Sequence, residues 1–479
     1  MEAPYQVYLS RWFVLLFFSL NNAMNAFLWI CFAAIQPQTS ALFAVDFSYV
    51  NGLSLAFLLL FLPGTVLTSF QVERYGVRLT LFSGSALNCL GGWLRYLGAV
   101  AAASSRPGLG FAVLMLGQVL AGLAQPCFTN LPARISSDWF APSQRDLATV
   151  VASLSNALGV AAGSVLPTLA VSAAGDMPTF LLGQALASTL FLAGTVYAVR
   201  GDRPPTPPSA SAAARLHKDS AEYSLLPSGT QASSGSGSSS SGSTVTIQST
   251  LHTMWTAYWG LLQDRNYLCL LAGFGVGLGL FNALLTLLAQ LLQPCGYSDD
   301  FGGNAGGVLL GAGLLSAAGV GLALEHTRAY LTALRLGIVL AVLASVFFLA
   351  SLQPRAGLQL LLSCGVLGAC LIPLLPISLE NAAECTYPVA EEVSSGLLLI
   401  VGNYLGLVLV LGMQALIPQP PFASSACASP VSPVAGLVLG VLLLACLALF
   451  LFRKDYRRQA AEARGRGGEA AEAAEAASD

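Results

Sequence analysis

The sequence predicts an all-α membrane protein of 12 transmembrane helices in two six-helix bundles, and three observations carry that expectation. Only 9% of the 479 residues are charged and 55% are hydrophobic, where a soluble protein is charged at about 25% of positions. Nearly uncharged windows long enough for a bilayer core, which takes roughly 20 residues per helix, recur along the whole chain. A polar stretch then divides those windows into two equal sets. The net charge of -2 supplies no basic field for nucleic acid, and no zinc-finger or RNP-like string occurs.

The first six spans are expected at 12–34, 49–70, 79–103, 108–132, 147–170 and 178–199, so that 1–200 forms an N-terminal bundle. Residues 201–249 follow as a linker with Pro204, Pro205, Pro207 and Pro208 and the run GSGSSSSGS at 235–243. Such a segment cannot bury a core and is expected to be disordered. Within it Tyr223-Ser224-Leu225-Leu226 fits a tyrosine-based sorting signal of the kind adaptors read. Over 250–265, Leu251, Met254, Trp255, Tyr258 and Leu262 recur every three or four residues, the pattern of an amphipathic helix lying on the membrane face. Six more spans are expected at 266–292, 301–324, 330–352, 357–377, 393–417 and 434–452, making 266–452 the C-terminal bundle and 453–479 a solvated tail.

Orientation follows from Lys and Arg. With the N-terminus in the cytoplasm, 18 basic residues fall inside, among them Arg11, Arg74, Arg78, Arg134, Arg145, Arg200, Arg265 and Arg453, and 2 fall outside, Arg106 and Arg355. The positive-inside rule therefore places both termini and the linker in the cytoplasm. Two bundles joined by a cytoplasmic linker suit a carrier that rocks around a midplane site. A plasma or endolysosomal membrane is the expected location. The loop 73–78, ERYGVR, has an echo in Gly321, Glu325, His326 and Arg328, which suggests duplication. In both, an acid at a helix end precedes basic residues, so Glu73, Arg74, Arg78, Glu325 and Arg328 are candidates for a charge lock between helices.

The loop ERYGVR resembles the signature of the major facilitator superfamily, with Glu73 for the usual Asp and Ser69 for the usual Gly. NAFLW at 25–29, GSALNCLGGW at 84–93, LPARISSDWF at 131–140, ECTYP at 384–388 and SSGLL at 394–398 together resemble the feline leukaemia virus subgroup C receptor-related family, solute carrier family 49. The resemblance covers nearly all the membrane portion and stops in the linker and tail. It implies the major facilitator fold, and family members are described as choline or ethanolamine facilitators and as heme carriers. It also implies a substrate cage. Trp29 matches the family Trp that packs on the quaternary ammonium, and Gln125 matches the fourth-helix Gln. Aligning Thr286 to Gln290 puts Asn282 where the family has Tyr, and aligning SSGLL puts Asn403 where it has Gln.

Each polar residue in a span is a functional candidate, because burying it in lipid is costly without a partner or cavity. Asn22, Asn25 and Trp29 are spaced three and four apart and share a helix face with Asn21 close by. The indole offers a cation a π-face worth about 0.5 to 2 kcal/mol, while the bland reading of the amides is glue between helices. Gln125, Ser155 and Asn156 carry the same two readings. Gly273, Gly275, Gly277 and Gly279 precede Phe281 and Asn282, where freed backbone lets a helix bend at a cavity or pack closely. Tyr404 beside Asn403 is a candidate replacement for the missing Tyr.

Arg95, well inside the third span, is expected to snorkel outward. Glu380 and Glu384 sit near the inner end of the tenth span and suit a gate more than a substrate contact. No Asp or Glu falls centrally in spans one, four, five or seven, which favours facilitated diffusion over proton coupling. No catalytic residue is expected, since H-E-x-x-H, G-x-S-x-G and P-loop strings are lacking. His217, His252 and His326 all fall outside the spans, so neither a metal site, axial heme ligation nor any cofactor is expected. Cys295 and Cys427 alone fall in exoplasmic loops and could pair, and no N-glycosylation sequon occurs.

The expectation is a transporter for a small polar or cationic organic solute, choline-like or ethanolamine-like, working by alternating access without ion coupling. The rivals are a carrier of heme or another amphipathic metabolite and a non-transporting receptor or scaffold. Expected partners are the solute, the bilayer and sorting adaptors; oligomeric state is not legible.

Overall fold

The computed structural model describes residues 6–141, 144–201, 203–208, 246–327, 329–386, 389, 391–417, 432–453 and 457. Among them the chain is helical, with no strand. Lipid offers no partner to backbone groups, so spanning segments must bond within themselves. In chain order the helices are α1 (Ser10–Ala34), α2 (Gln36–Phe43), α3 (Phe47–Ala103), α4 (Pro107–Ala124), α5 (Pro126–Thr129), α6 (Pro132–Trp139), α7 (Arg145–Ala170) and α8 (Met177–Ala198). They continue with α9 (Ile247–Leu262), α10 (Arg265–Leu292), α11 (Asp299–Thr327), α12 (Tyr330–Ala350), α13 (Gly357–Leu371), α14 (Leu374–Thr386), α15 (Glu391–Leu416) and α16 (Pro433–Leu451).

Eleven of the described helical segments are long and apolar enough to cross a membrane. One of them, α3, has 57 residues, about 85 Å at 1.5 Å per residue against a core of about 30 Å. It is two crossings. Gly76 divides them with φ 81° and ψ 176°, backbone that essentially only glycine adopts without strain. Twelve crossings result, in agreement with the hydropathy windows. Two others are broken by proline: α4 gives way to α5 at Pro126, and α13 to α14 before Leu374, where Pro373 intervenes. Proline lacks the N–H that would continue the ladder.

The first six crossings pack on one another through α1 with α7, and α3 with α4 and α8. The last six do so through α10 with α15 and α16, and α11 with α13. The sets meet along α7–α11, α3–α15 and α1–α10. At the end opposite the termini they are clasped by uncharged donors. Gln38 Nε2 donates to Asp299 Oδ2 at 3.1 Å, Asn51 Nδ2 to Gln414 Oε1 at 3.0 Å, and Gln414 Nε2 to Ser48 Oγ at 2.6 Å. There α11 lies so close to α7 that a Cβ on Gly303 would meet the Ser164 carbonyl at 2.8 Å.

Arg95 departs from expectation: it does not snorkel. Its side chain is fully buried, Nη2 donates to Cys31 Sγ at 2.8 Å, and the guanidinium lies 4.6 Å from the Phe32 ring centre. The cause is the face it occupies, shared with buried Gly91, Gly92, Gly98 and Ala99, whose small side chains leave a long one room to lie inward. Helix α9 begins at Ile247 rather than at 250. Cys295 is disulfide-bonded, while Cys427 lies outside the described residues. So do Tyr223 to Leu226 with most of the linker, Arg328, and the tail apart from Arg453 and Arg457.

Candidate functional site

A cavity of about 260 Å³ lies between the two sets of crossings. It extends from Trp29, in the last two turns of α1, and Asn282, past the middle of α10, toward Thr129, Pro132 and Leu379, which lie nearer the end bearing the termini. Seven polar or aromatic sequence candidates line it: Asn22, Trp29, Gln125, Asn156, Phe281, Asn282 and Asn403. Asn25 and Tyr404 are not among the lining residues. Asn25, on the same face of α1 as Asn22, turns its Nδ2 to Asn88 Oδ1 and the Ala121 carbonyl, each at 2.8 Å, and so holds three crossings together. The Tyr404 hydroxyl donates to the Leu59 carbonyl at 3.0 Å and ties α15 to α3.

The polar lining is built mainly from paired amides. Asn156 Nδ2 donates to Asn22 Oδ1 at 3.0 Å, joining α7 to α1. Asn22 Nδ2 is itself used by the Ala152 carbonyl at 2.8 Å and Ser155 Oγ at 3.1 Å. Across the cavity Asn282 Nδ2 donates to Asn403 Oδ1 at 3.3 Å, joining α10 to α15. The first and fifth crossings of one half and the first and fifth of the other are thus stitched in the same way. Glycine makes both approaches close. Gly159, one turn beyond Asn156, abuts the Ala23 backbone, and Gly406, one turn beyond Asn403, would place a Cβ 3.2 Å from the Asn282 Cβ. The repeat is legible as Asn-x-Leu-Gly at 156–159 and again at 403–406, a signal the hydropathy reading passes over.

Among the described lining residues two buried polar side-chain atoms have no hydrogen-bond partner. Trp29 is buried with its Nε1 unbonded, and Gln125 Oε1 is likewise unbonded. Gln125 sits at the α4–α5 break, where Pro126 ends the helix. A buried donor and acceptor left open cost about 1 to 3 kcal/mol each unless something fills them, so this wall offers one donor and one acceptor to whatever enters the cavity. The remaining wall is aromatic and aliphatic, with Phe61, Phe274 and Phe281 beside Trp29. Phe61 and Phe274 carry no signal in the sequence beyond being aromatic within a span. None of the described lining residues is ionisable. No cluster of His, Cys, Asp and Glu among the described residues could hold a metal ion.

None of the described lock candidates is among the residues lining the cavity. Glu73 Oε2 accepts from Thr250 Oγ1 of α9 at 2.9 Å, and the Arg78 guanidinium lies 5.2 Å from the Phe82 ring centre. Arg74 also belongs to this turn of α3. Glu384 is buried on α14, Glu325 lies within α11, and Arg328 falls outside the described residues.

The Major Facilitator Superfamily profile matches residues 14–410. Solute carrier family 49 member A3 of Danio rerio is 30% identical over 467 residues, covering 96% of this chain and 91% of that protein. The choline/ethanolamine transporter FLVCR1 of Felis catus is 29% identical over 94% of this chain and 73% of its own length. Among solved structures, a D-xylose-proton symporter superposes with a TM-score of 0.64 over 93% of this chain and 98% of its own, at 11% identity, a likeness of fold alone.

Proposed function

The chain belongs to the major facilitator superfamily and, within it, to solute carrier family 49, and from that premise we propose that it carries a small cationic or polar amine of the choline and ethanolamine type by facilitated alternating access. It is a multi-pass membrane protein of a transporter family. Relatives named choline/ethanolamine transporters support the solute class. The observation that carries the reading is the cavity itself, where a buried indole with an open N–H stands among neutral amides and phenyl rings. An alkylammonium gains from the indole face, and a hydroxyl or N–H on the solute can meet Gln125 Oε1. At about 260 Å³ the cavity falls just below the usual range of ligand pockets, roughly 300–1,000 Å³, which suits such a solute better than a tetrapyrrole.

In this reading Trp29 anchors the solute, Gln125 and Asn22 orient it, and Asn282 and Asn403 set its specificity. Glu73, Arg74, Arg78, Glu325, Arg328 and Glu384 serve the gate at the end bearing the termini. That end faces the cytoplasm, because the termini, linker and loops that the sequence assigns to that side carry 18 basic residues against 2 in the loops opposite.

The test is uptake of labelled choline and of ethanolamine into proteoliposomes. Trp29→Ala, matched for amount inserted, should reduce flux of the transported amine at least tenfold, in line with loss of about 1.4 kcal/mol or more of cation–π and packing energy. Full uptake by that variant would refute the anchor.

A further inference from the structure

Helix α9 has three faces. Thr250, Met254, Tyr258 and Leu261 recur three or four residues apart toward the bundle, with Thr250 and Leu261 buried. About a quarter turn round, Ile247, Leu251, Trp255 and Trp259 form an apolar stripe that is 45%, 47%, 63% and 54% exposed. Gln248, His252, Thr253 and Thr256 occupy the remaining, exposed side. A helix packed on protein along one side needs one apolar stripe. The second stripe has no protein to meet among the described residues.

The place of α9 in the chain identifies what meets it. Only Gln263 and Asp264 separate α9 from the crossing α10, so the helix is held at the level where the bundle leaves the membrane. Trp255 and Trp259 stack with ring centres 6.0 Å apart and planes at 24°, and tryptophan favours the boundary between headgroups and acyl chains. Apolar stripe and polar side differ by roughly a third of a turn, the geometry of a helix lying at the corner of protein, lipid and water.

The bundle side of α9 holds both halves. Thr250, only 2% exposed, donates from Oγ1 to Glu73 Oε2 at 2.9 Å in the turn of α3. The Tyr258 hydroxyl lies against Gly396 of α15, 3.6 Å from where a Cβ would stand. Helix α9 packs on α3, α10 and α15, and so covers the α3–α15 seam where the halves meet.

We propose that α9 is a membrane-seated strap: Ile247, Leu251, Trp255 and Trp259 rest in the bilayer surface at the end bearing the termini, while Thr250 ties the strap to Glu73 across the two halves. Any rocking of the halves must then slide the strap along the lipid or break the Thr250–Glu73 bond. Lipid packing in that leaflet becomes a brake on the cycle, whatever the solute.

Two measurements on the full chain in phosphatidylcholine vesicles test this, and neither requires a known solute. Nitroxides are placed at Leu251→Cys and, separately, at His252→Cys, with the signal of the unsubstituted protein subtracted. The label at 251 should relax with dissolved oxygen and the label at 252 with a water-soluble nickel chelate. Equal access of the chelate to both, or shielding of 251 from both reagents by a bound protein, would overturn the membrane seat. In the second measurement, amide hydrogen exchange over 250–254 should accelerate about tenfold in Thr250→Val, as expected for losing a hydrogen bond to a charged acceptor. It should accelerate less in Glu73→Gln, which keeps a neutral acceptor. Unchanged exchange in Thr250→Val would overturn the tie to Glu73.

Discussion

In the proposed cage Asn282 and Asn403 stand where the family resemblance implies a Tyr and a Gln, and they bond to each other at 3.3 Å. The two differences are therefore one structural change. A Tyr at 282 would restore an aromatic wall but leave Asn403 Oδ1 without its donor, so Asn282→Tyr alone should do little for choline. Asn282→Tyr with Asn403→Gln should raise choline uptake, by a factor corresponding to about 0.5 to 2 kcal/mol of restored cation–π contact. The two substitutions should be non-additive by about 0.5 to 3 kcal/mol, as contacting residues are. Uptake in the four members of the cycle checks this, and an unchanged choline rate in the double variant would mean that the family cage does not map onto these positions. Residue type and spacing bring Asn22, Trp29 and Gln125 to notice but cannot separate Asn22 from Asn25. Both lie on one face of α1, and which amide meets the cavity depends on neighbours tens of residues away, Asn156 for one and Asn88 for the other. Arg95 illustrates the same limit: its spacing gives its depth but not the glycine-lined face that draws it inward.

Elements were far more legible than side-chain partners, because a crossing is fixed by about 20 local residues and lipid enforces the helix. The windows at 49–70 and 79–103 are joined in space as α3, and the break between them comes down to one residue, Gly76. At φ 81° and ψ 176° an alanine Cβ would be strained, at a cost of about 1 to 3 kcal/mol. Gly76→Ala should lower the melting temperature in detergent and shift the angle between the two crossings, while Gly183→Ala, where a Cβ meets nothing within 4 Å, should leave both nearly unchanged. Equal melting temperatures for the two variants would mean that the turn relaxes around Gly76 without strain. The expected spans 108–132 and 357–377 run straight through Pro126 and Pro373, although a proline inside a span signals that the helix must yield; that Gln125 is thereby delivered to a cavity appears only when the opposite half is in place.

At the scale of the whole molecule, the clasp and the cavity share a chemical character that bears on energetics. The described donors holding the halves together at the end opposite the termini are the amides of Gln38, Asn51 and Gln414, with Asp299 as the one carboxylate acceptor among these contacts. Asp299 lies at the start of α11, away from the cavity lining. A carrier that harnesses protons needs a group that changes charge where solute binding can sense it, usually an acid or histidine within the membrane. No described residue lining this cavity is ionisable. Solute binding and release should accordingly leave proton occupancy unchanged, and flux should follow the solute's own electrochemical gradient. With membrane voltage clamped, collapse of the proton gradient by a protonophore should leave initial uptake within experimental error of its untreated value. Voltage must be held because a cationic solute responds to it without any coupling, at about 2.3 kcal/mol per charge per 100 mV. Accumulation against the electrochemical gradient that vanishes on adding protonophore under clamp would place a titrating group in the cycle, and Asp299, released from Gln38 when the clasp opens, would be the first residue to substitute.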